Sequence, residues 1–146
     1  MNADKLSFLC RAKKATYAGH GAEADPSRPA SHDLIYSEGG LTYIDTYLGG
    51  ERFTGEEALW EEGQPIWAMN YSGRVTGQPF SGDFLKEALS HVSTDKPYRG
   101  PEYFTDGTYE FAMTVDGSID WFQGYEEITT RGHQVYELYF HGGTVI

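Results

Sequence analysis

The sequence predicts an α+β fold: a strongly coiled antiparallel sheet of about seven strands in two meanders, with two main helices. Three observations carry this. From Leu41 to Gly73, and again from Thr108 to Val115, side chains alternate with a period of two. Tyr43, Asp45 and Tyr47 alternate with Thr42, Ile44 and Thr46, and Trp67, Met69 and Tyr71 with Ala68 and Asn70. That period marks pleated strands with two distinct faces. Glycine-bearing steps separate the runs, as tight hairpins require. Finally, two short segments repeat apolar residues at helical spacing.

Residues 4–17 form the first helix, with Asp4 as a plausible N-cap. Leu6, Leu9, Cys10 and Tyr17 fall on one side, and Phe8, Ala12 and Ala15 on another. Ser7, Arg11 and Lys14 leave only a narrow polar stripe, so the helix is well covered and its Lys and Arg residues form a solvated edge. Pro26 and Pro29 exclude a helix or central strand from the loop 19–30, whose length favours a functional role. Strands follow at about 33–38, 41–48, 51–59 (bent at Gly55) and 65–75. Their turns are Glu38-Gly39-Gly40-Leu41, Gly49-Gly50 and Glu61-Glu62-Gly63-Gln64. The second helix covers 84–92, capped by Ser81 or Asp83, with Phe84, Leu85, Ala88, Leu89 and Val92 on one stripe. Residues 93–105, with Pro97 and Pro101, are irregular. The second meander has strands at 108–115, 118–128 and 135–141, with Asp116-Gly117 as a hairpin turn, a bulge or sharp coil at Gly124, and a turn at 129–133. One coiled sheet, or an open barrel wrapped on the helices, buries these elements best.

With 146 residues, 39% hydrophobic and 23% charged, the chain suits one domain, 1–146, with a real core. Eleven Tyr and eighteen Gly suit strands with tight turns. The net charge is −11; residues 1–14 hold Lys5, Arg11, Lys13 and Lys14 against Asp4, a local +3 that leaves −14 on the rest. An acidic body repels phosphate and argues against direct nucleic-acid binding. Cys10 is the only cysteine, so no intrachain disulfide forms. No apolar run approaches the ~18 residues that span a bilayer, and no signal-peptide apolar region is evident. A cytoplasmic location with no membrane partner is the simplest expectation.

Several groupings resemble chemistry without its geometry. Ser31-His32-Asp33 has the residue types of a hydrolytic triad, but neighbours in an extended segment point to opposite faces. Local side-chain hydrogen bonds at the start of a strand are the expectation there. Glu56-Glu57, Glu61-Glu62 and Glu126-Glu127 are adjacent carboxylates whose partners diverge, which fits solvated acids better than a glycosidase pair. His20, His32, His91, His133 and His141 show no metal-ligand spacing, so no metal site is assigned. No phosphate-loop or dinucleotide fingerprint occurs, and no cofactor is expected. Cys10 lies on an apolar stripe and reads as core rather than nucleophile. No catalytic residue is assigned.

Asp45 is the exception. It shares a strand face with Tyr43 and Tyr47. If that face is concave, an acid lies among aromatics, with Trp67, Tyr71 and Trp121 contributed by other strands. Small-ligand sites have that character: an apolar pocket with one polar anchor. If instead Ile44 and Leu48 form the core, the same face meets solvent. The candidate ligand-binding residues are therefore Tyr43, Asp45, Tyr47, Trp67, Tyr71 and Trp121.

Several strings together resemble a bacterial and archaeal domain family of unknown function. They are Pro26-Ser27-Arg28-Pro29 with Ser31-His32-Asp33-Leu34, Tyr43-Ile44-Asp45, Gly49-Gly50, Phe53-Thr54-Gly55-Glu56 and Pro65-Ile66-Trp67-Ala68-Met69-Asn70-Tyr71. Tyr98-Arg99-Gly100-Pro101, Tyr136-Glu137-Leu138 and His141-Gly142-Gly143 complete the set. The resemblance covers nearly the whole chain. In some members of that family an Xre-type helix-turn-helix lies upstream. Here the first helix is single and a Pro-rich loop follows it, so the resemblance implies a stand-alone copy. It carries over no catalytic residue.

These readings lead to a small-molecule-binding or sensing module of the kind associated with regulators, an association that is analogy only. One alternative is a small enzyme using Asp45 or Glu126 as acid or base. Another is a homo-oligomeric interaction module without a ligand. A homodimer is expected in any case, because an aromatic-rich sheet with two edges gains from covering them.

Overall fold

The computed structural model describes residues 1–146. Helix α1 is Ala3–Ala15, and its N-cap is Asn2, whose side chain accepts from the Lys5 amide. Asp4, expected as the cap, sits in the first turn, where a carboxylate meets the positive end of the helix dipole. Four strands follow: β1 His32–Glu38, β2 Leu41–Gly49, β3 Arg52–Glu61 and β4 Gln64–Val75. Helix α2 is Gly82–Leu89, capped by Ser81, whose hydroxyl accepts from the Phe84 amide at 3.1 Å. The remaining strands are β5 Tyr103–Thr105, β6 Tyr109–Ser118, β7 Trp121–Thr130 and β8 His133–Thr144.

All eight strands form one antiparallel sheet in the order β1-β2-β3-β4-β8-β7-β6-β5. The two meanders join at its centre, where the last strand pairs with β4. The α+β class stands, with eight strands in place of seven. The additional strand, β5, is three residues long, too short for alternation to mark it within the irregular 93–105 stretch. The sheet is open rather than closed into a barrel, with β1 and β5 as its edges.

Three local expectations are corrected. The β6–β7 turn is Ile119-Asp120, because Ser118 pairs with Trp121 and Gly117 with Phe122; Gly117 serves the ladder at φ +101° instead. Strand β3 keeps its register through Gly55 and slips between Leu59 and Trp60. Strand β7 keeps its register through Gly124 and slips at Ile128–Thr129. Gly124 lies beneath the Phe140 ring, so a close approach rather than a bulge demands it.

The core is one cluster on one face of the sheet. Phe8, Leu9 and Ala12 of α1 and Phe84, Leu85, Ala88 and Leu89 of α2 meet Tyr43, Leu59, Trp67, Met69, Phe111, Ile128, Tyr136 and Leu138 in it. The helices thus share the inner face, while Ile35, Trp121 and Tyr139 remain exposed. No helix is long and apolar enough to cross a membrane.

Candidate functional site

The strand period decides which side chains enter the space under the helices. On β2, Tyr43 and Asp45 are buried and Tyr47 half-buried, while Thr42, Ile44 and Thr46 lie on the other parity. This settles the orientation: Asp45 faces the core, not solvent. Its cross-strand partner is Glu57 of β3, also buried, and Tyr47 stands opposite Gly55, which stands opposite Tyr71 of β4. Gly55 is needed for its lack of a side chain. A Cβ there would lie 2.6 Å from the Tyr71 hydroxyl, which passes over this position to donate to Asp45 Oδ1 at 2.6 Å.

Around Asp45 lies a buried ionic network. The Lys13 ammonium donates to Glu57 Oε1 at 2.7 Å and to the Tyr98 carbonyl at 2.6 Å, and the Tyr43 hydroxyl donates to the same Glu57 oxygen. Arg99, from the segment between α2 and β5, grips Glu126 of β7 with Nε at 2.5 Å and Nη2 at 3.4 Å. Tyr136 of β8 donates to Glu126 Oε2 at 3.2 Å. Arg99 Nη1 lies 3.8 Å from Glu57 Oε2, the one buried side-chain polar atom without a hydrogen bond. The guanidinium also stacks over the Tyr71 ring, 5.2 Å from its centroid.

Asp45 is 4% exposed, and burial pushes its carboxyl up to about 7. The Glu57 charge adds to that rise, while the Tyr71 hydrogen bond, Arg99 and Lys13 oppose it. Burial and the neighbouring Asp45 charge drive the Tyr71 hydroxyl well above its ordinary value, so it acts as a donor. Burial lowers the Arg99 guanidinium, but the Glu126 charge, Tyr136, the Glu126 hydrogen bond and the Glu57 charge together outweigh it and hold the group well above its ordinary value.

Beside this network is a cavity of about 270 Å³, bordered by the C-terminal side of α1, the start of α2 and the β2–β3 hairpin. Asp45, Arg99 and His32 supply its polar lining. The aromatic wall is a chain of ring contacts: His32 stacks on Tyr47 at 4.7 Å, Tyr47 meets Phe53 at 6.4 Å, Phe53 meets Tyr71 at 6.1 Å and Tyr136 at 6.4 Å, and Phe80 stacks on Tyr136 at 5.7 Å. Asp45 Oδ2 has no protein donor and is not among the sealed, unpartnered atoms, and Asp45 borders this cavity. A second space of about 20 Å³, room for one water molecule, lies among Lys13, Tyr43, Asp45, Glu57 and Arg99.

Of the six residues expected at a site, Asp45, Tyr47 and Tyr71 line the main cavity together, and Tyr43 lines the smaller space. Trp67 does not reach either. It is fully buried, stacked on Phe122 at 5.9 Å, with Nε1 donating to the Ile119 carbonyl. Trp121 is 82% exposed on the outer face, because inward parity on β7 belongs to Phe122, Gly124 and Glu126. Ser31 donates to Asp33 at 2.6 Å while the His32 ring turns to Glu23 at 2.7 Å, so the three make local contacts and no relay.

Two expectations about charged residues are corrected. Lys13 is buried, not on a solvated edge, and Glu57 and Glu126 are buried, not solvated acids. The signal for Lys13 was its place four residues after Leu9 on the apolar arc. Glu57 and Glu126 share parity with Leu59 and with Phe122 and Ile128, which marks them as inward. Arg99 sits in an irregular segment between Pro97 and Pro101, where no periodicity exists to read.

No curated protein and no solved structure gives a significant match. A family model described as "Domain of unknown function (DUF5680)" matches residues 45–145, a span that includes Asp45, Glu57, Tyr71, Arg99, Glu126 and Tyr136 but begins after Lys13, Tyr17 and His32; by that match the chain belongs to this family of unknown function.

Proposed function

We propose that this domain binds a small organic molecule in the 270 Å³ cavity, with an aromatic or aliphatic body against the rings and a hydrogen-bond donor on Asp45. One observation carries the reading: a buried carboxyl group borders the cavity with one oxygen that has no protein partner, while the neighbouring cations Lys13 and Arg99 are committed to other acceptors. Burying a carboxylate in this way is costly, and a purely structural acid would be paired. The volume is near the lower end of small-molecule pockets, which begin at ~300 Å³. It fits a single ring or a short chain. A sensing role, of the kind suggested by the association with regulators, follows only if occupancy changes a partner's behaviour.

The test is native mass spectrometry of the full chain as purified, with 2-phenylethanol titration followed by NMR. A co-purified mass, or saturable shifts at residues around Asp45, is expected, and Val75→Trp should abolish them while the fold persists, because Val75 lines the cavity. Absence of any bound mass and of any saturable shift overturns the reading. A second reading, acid–base catalysis by Asp45, is favoured by its carboxyl lying near 7, where a general base works best. An Asp45→Asn variant separates the two, since an enzyme loses turnover even where substrate still binds. Glu126 is not the acid or base in this reading, because Arg99 and Tyr136 occupy both of its oxygens.

A further inference from the structure

We propose that the occupant of the cavity is an organic monocation, an amine or quaternary ammonium with a small apolar body, its positive group set against Asp45 Oδ2. The inference rests on the binding role proposed above and names the class of ligand. Its first ground is the charge inventory. The buried network holds two cations, Lys13 and Arg99, and three carboxyl groups, Asp45, Glu57 and Glu126. Each cation is already consumed: Lys13 by Glu57 and the Tyr98 carbonyl, Arg99 by Glu126 at 2.5 Å with Glu57 at 3.8 Å. Asp45 receives only a neutral hydroxyl, from Tyr71. With all three carboxyl groups ionised, one negative charge is unmatched, and it sits on the group that opens to the cavity.

The walls supply the second ground. Tyr47, Phe53, Phe80 and Tyr136 join Tyr71 around the space, and aromatic faces attract an ammonium more strongly when it is desolvated. Arg99 in the same lining does not cancel this, because Glu126 and Glu57 bracket its charge. The net charge of −11 also favours approach of cations over anions. An anion of the same size would face the Asp45 carboxyl group with no uncommitted cation in the lining.

A proton and an ammonium then compete for one oxygen. The groups facing Asp45 are Lys13 of α1 and Tyr17 just after it, Tyr43 and Tyr47 on its own strand, Glu57 on β3, Tyr71 on β4 and Arg99 after α2, with His32 farther along the lining. With the Asp45 carboxyl at about 7, amine affinity should fall about thirtyfold between pH 8 and pH 5.5.

The experiment is calorimetric titration of the full chain at pH 8 with matched sets: benzylamine, phenethylamine and tetramethylammonium; benzyl alcohol and 2-phenylethanol; benzoate and phenylacetate. At least one cation should bind at least tenfold tighter than its alcohol, and the carboxylates should not bind. Asp45→Asn should remove the pH dependence and bring the ratio of cation to alcohol affinity to within about threefold of one, His32 and the other groups being unchanged. Equal binding of amines and alcohols, or tighter binding of the carboxylates, overturns the proposed class and leaves the pocket intact. Alcohol binding with no cation binding does the same. No binding of any probe at millimolar concentration overturns the class and the binding role together.

Discussion

Asp45→Asn should make the protein more stable, by an amount that grows as pH rises from about 4 to 7 and levels off above that. In the folded chain the carboxyl lies at about 7, against 3.8 for the free side chain. A carboxyl raised on folding keeps a proton that the unfolded chain has released. Its contribution to stability is therefore fully present below about 3.8 and is lost as pH rises through 7. Three units at 1.36 kcal/mol each set a ceiling of about 4 kcal/mol, and relaxation of the site brings the expectation to about 2 kcal/mol. For a chain of this size that is about 6–8 °C in Tm. Asparagine is the appropriate perturbation, since its oxygen still accepts from Tyr71 and its amide fits the same space. The two remaining carboxylates then balance Lys13 and Arg99. Thermal and urea melts of both proteins at pH 5 and pH 8 check this. All other titrating groups are common to both, so the difference isolates position 45. The gap should be about 1 kcal/mol at pH 5 and about 2 kcal/mol in favour of the variant at pH 8, because the loss begins once pH passes the unfolded value. A variant that is less stable at pH 8, or a gap that does not change with pH, would refute the reasoning.

Other outcomes follow from the same structure. Arg99→Met should cost about 3–5 kcal/mol, because it leaves Glu126 and Glu57 buried without their shared cation; chemical denaturation reads it, and a loss under 1 kcal/mol would mean the network is slack. Gly55→Ala should lower stability by about 1–3 kcal/mol and free the Tyr71 hydroxyl, since its Cβ meets Thr46 O and Tyr71 Oη at 2.6 Å; a shift in the Tyr71 ring resonances checks it. The chain should self-associate as a dimer, given uncovered edges at β1 and β5 and exposed Trp121 and Tyr139, and sedimentation showing only monomer at high concentration would contradict that. Duplex DNA should not bind; micromolar, salt-sensitive mobility shifts would refute the electrostatic argument.

What could be read from the sequence was what repeats. Alternation placed seven of the eight strands, and Glu62-Gly63 at φ +48° and +80° is the two-residue turn that its residues require. Asp45, Tyr47 and Tyr71 could be grouped because each lies in a clean alternating run. Which face of those runs was inward could not be decided locally, since both carry apolar residues: Ile44 and Leu48 on one, Tyr43 and Tyr47 on the other. Burial depended on where α1 and α2 docked. The pairing of Arg99 with Glu126 was unreadable because Arg99 sits in a segment without periodicity, and Trp67 and Trp121 were misplaced because an aromatic is as useful in a core as in a pocket.

The two halves of the buried network play different parts. Glu126 is held by three donors and Glu57 by two, and each carries a cation across sequence separations of 27 and 44 residues. Lys13 ties α1 to β3, and Arg99 ties the loop after α2 to β7, so these pairs fix how helix and loop seat on the sheet. Asp45 ties nothing together beyond the Tyr71 hydroxyl, and its charge opposes folding above neutral pH. A leucine or methionine there would fill the cavity edge at no electrostatic cost. An acid that opposes folding, with one oxygen lacking a protein partner at the edge of a cavity, is the arrangement that the proposed binding role requires.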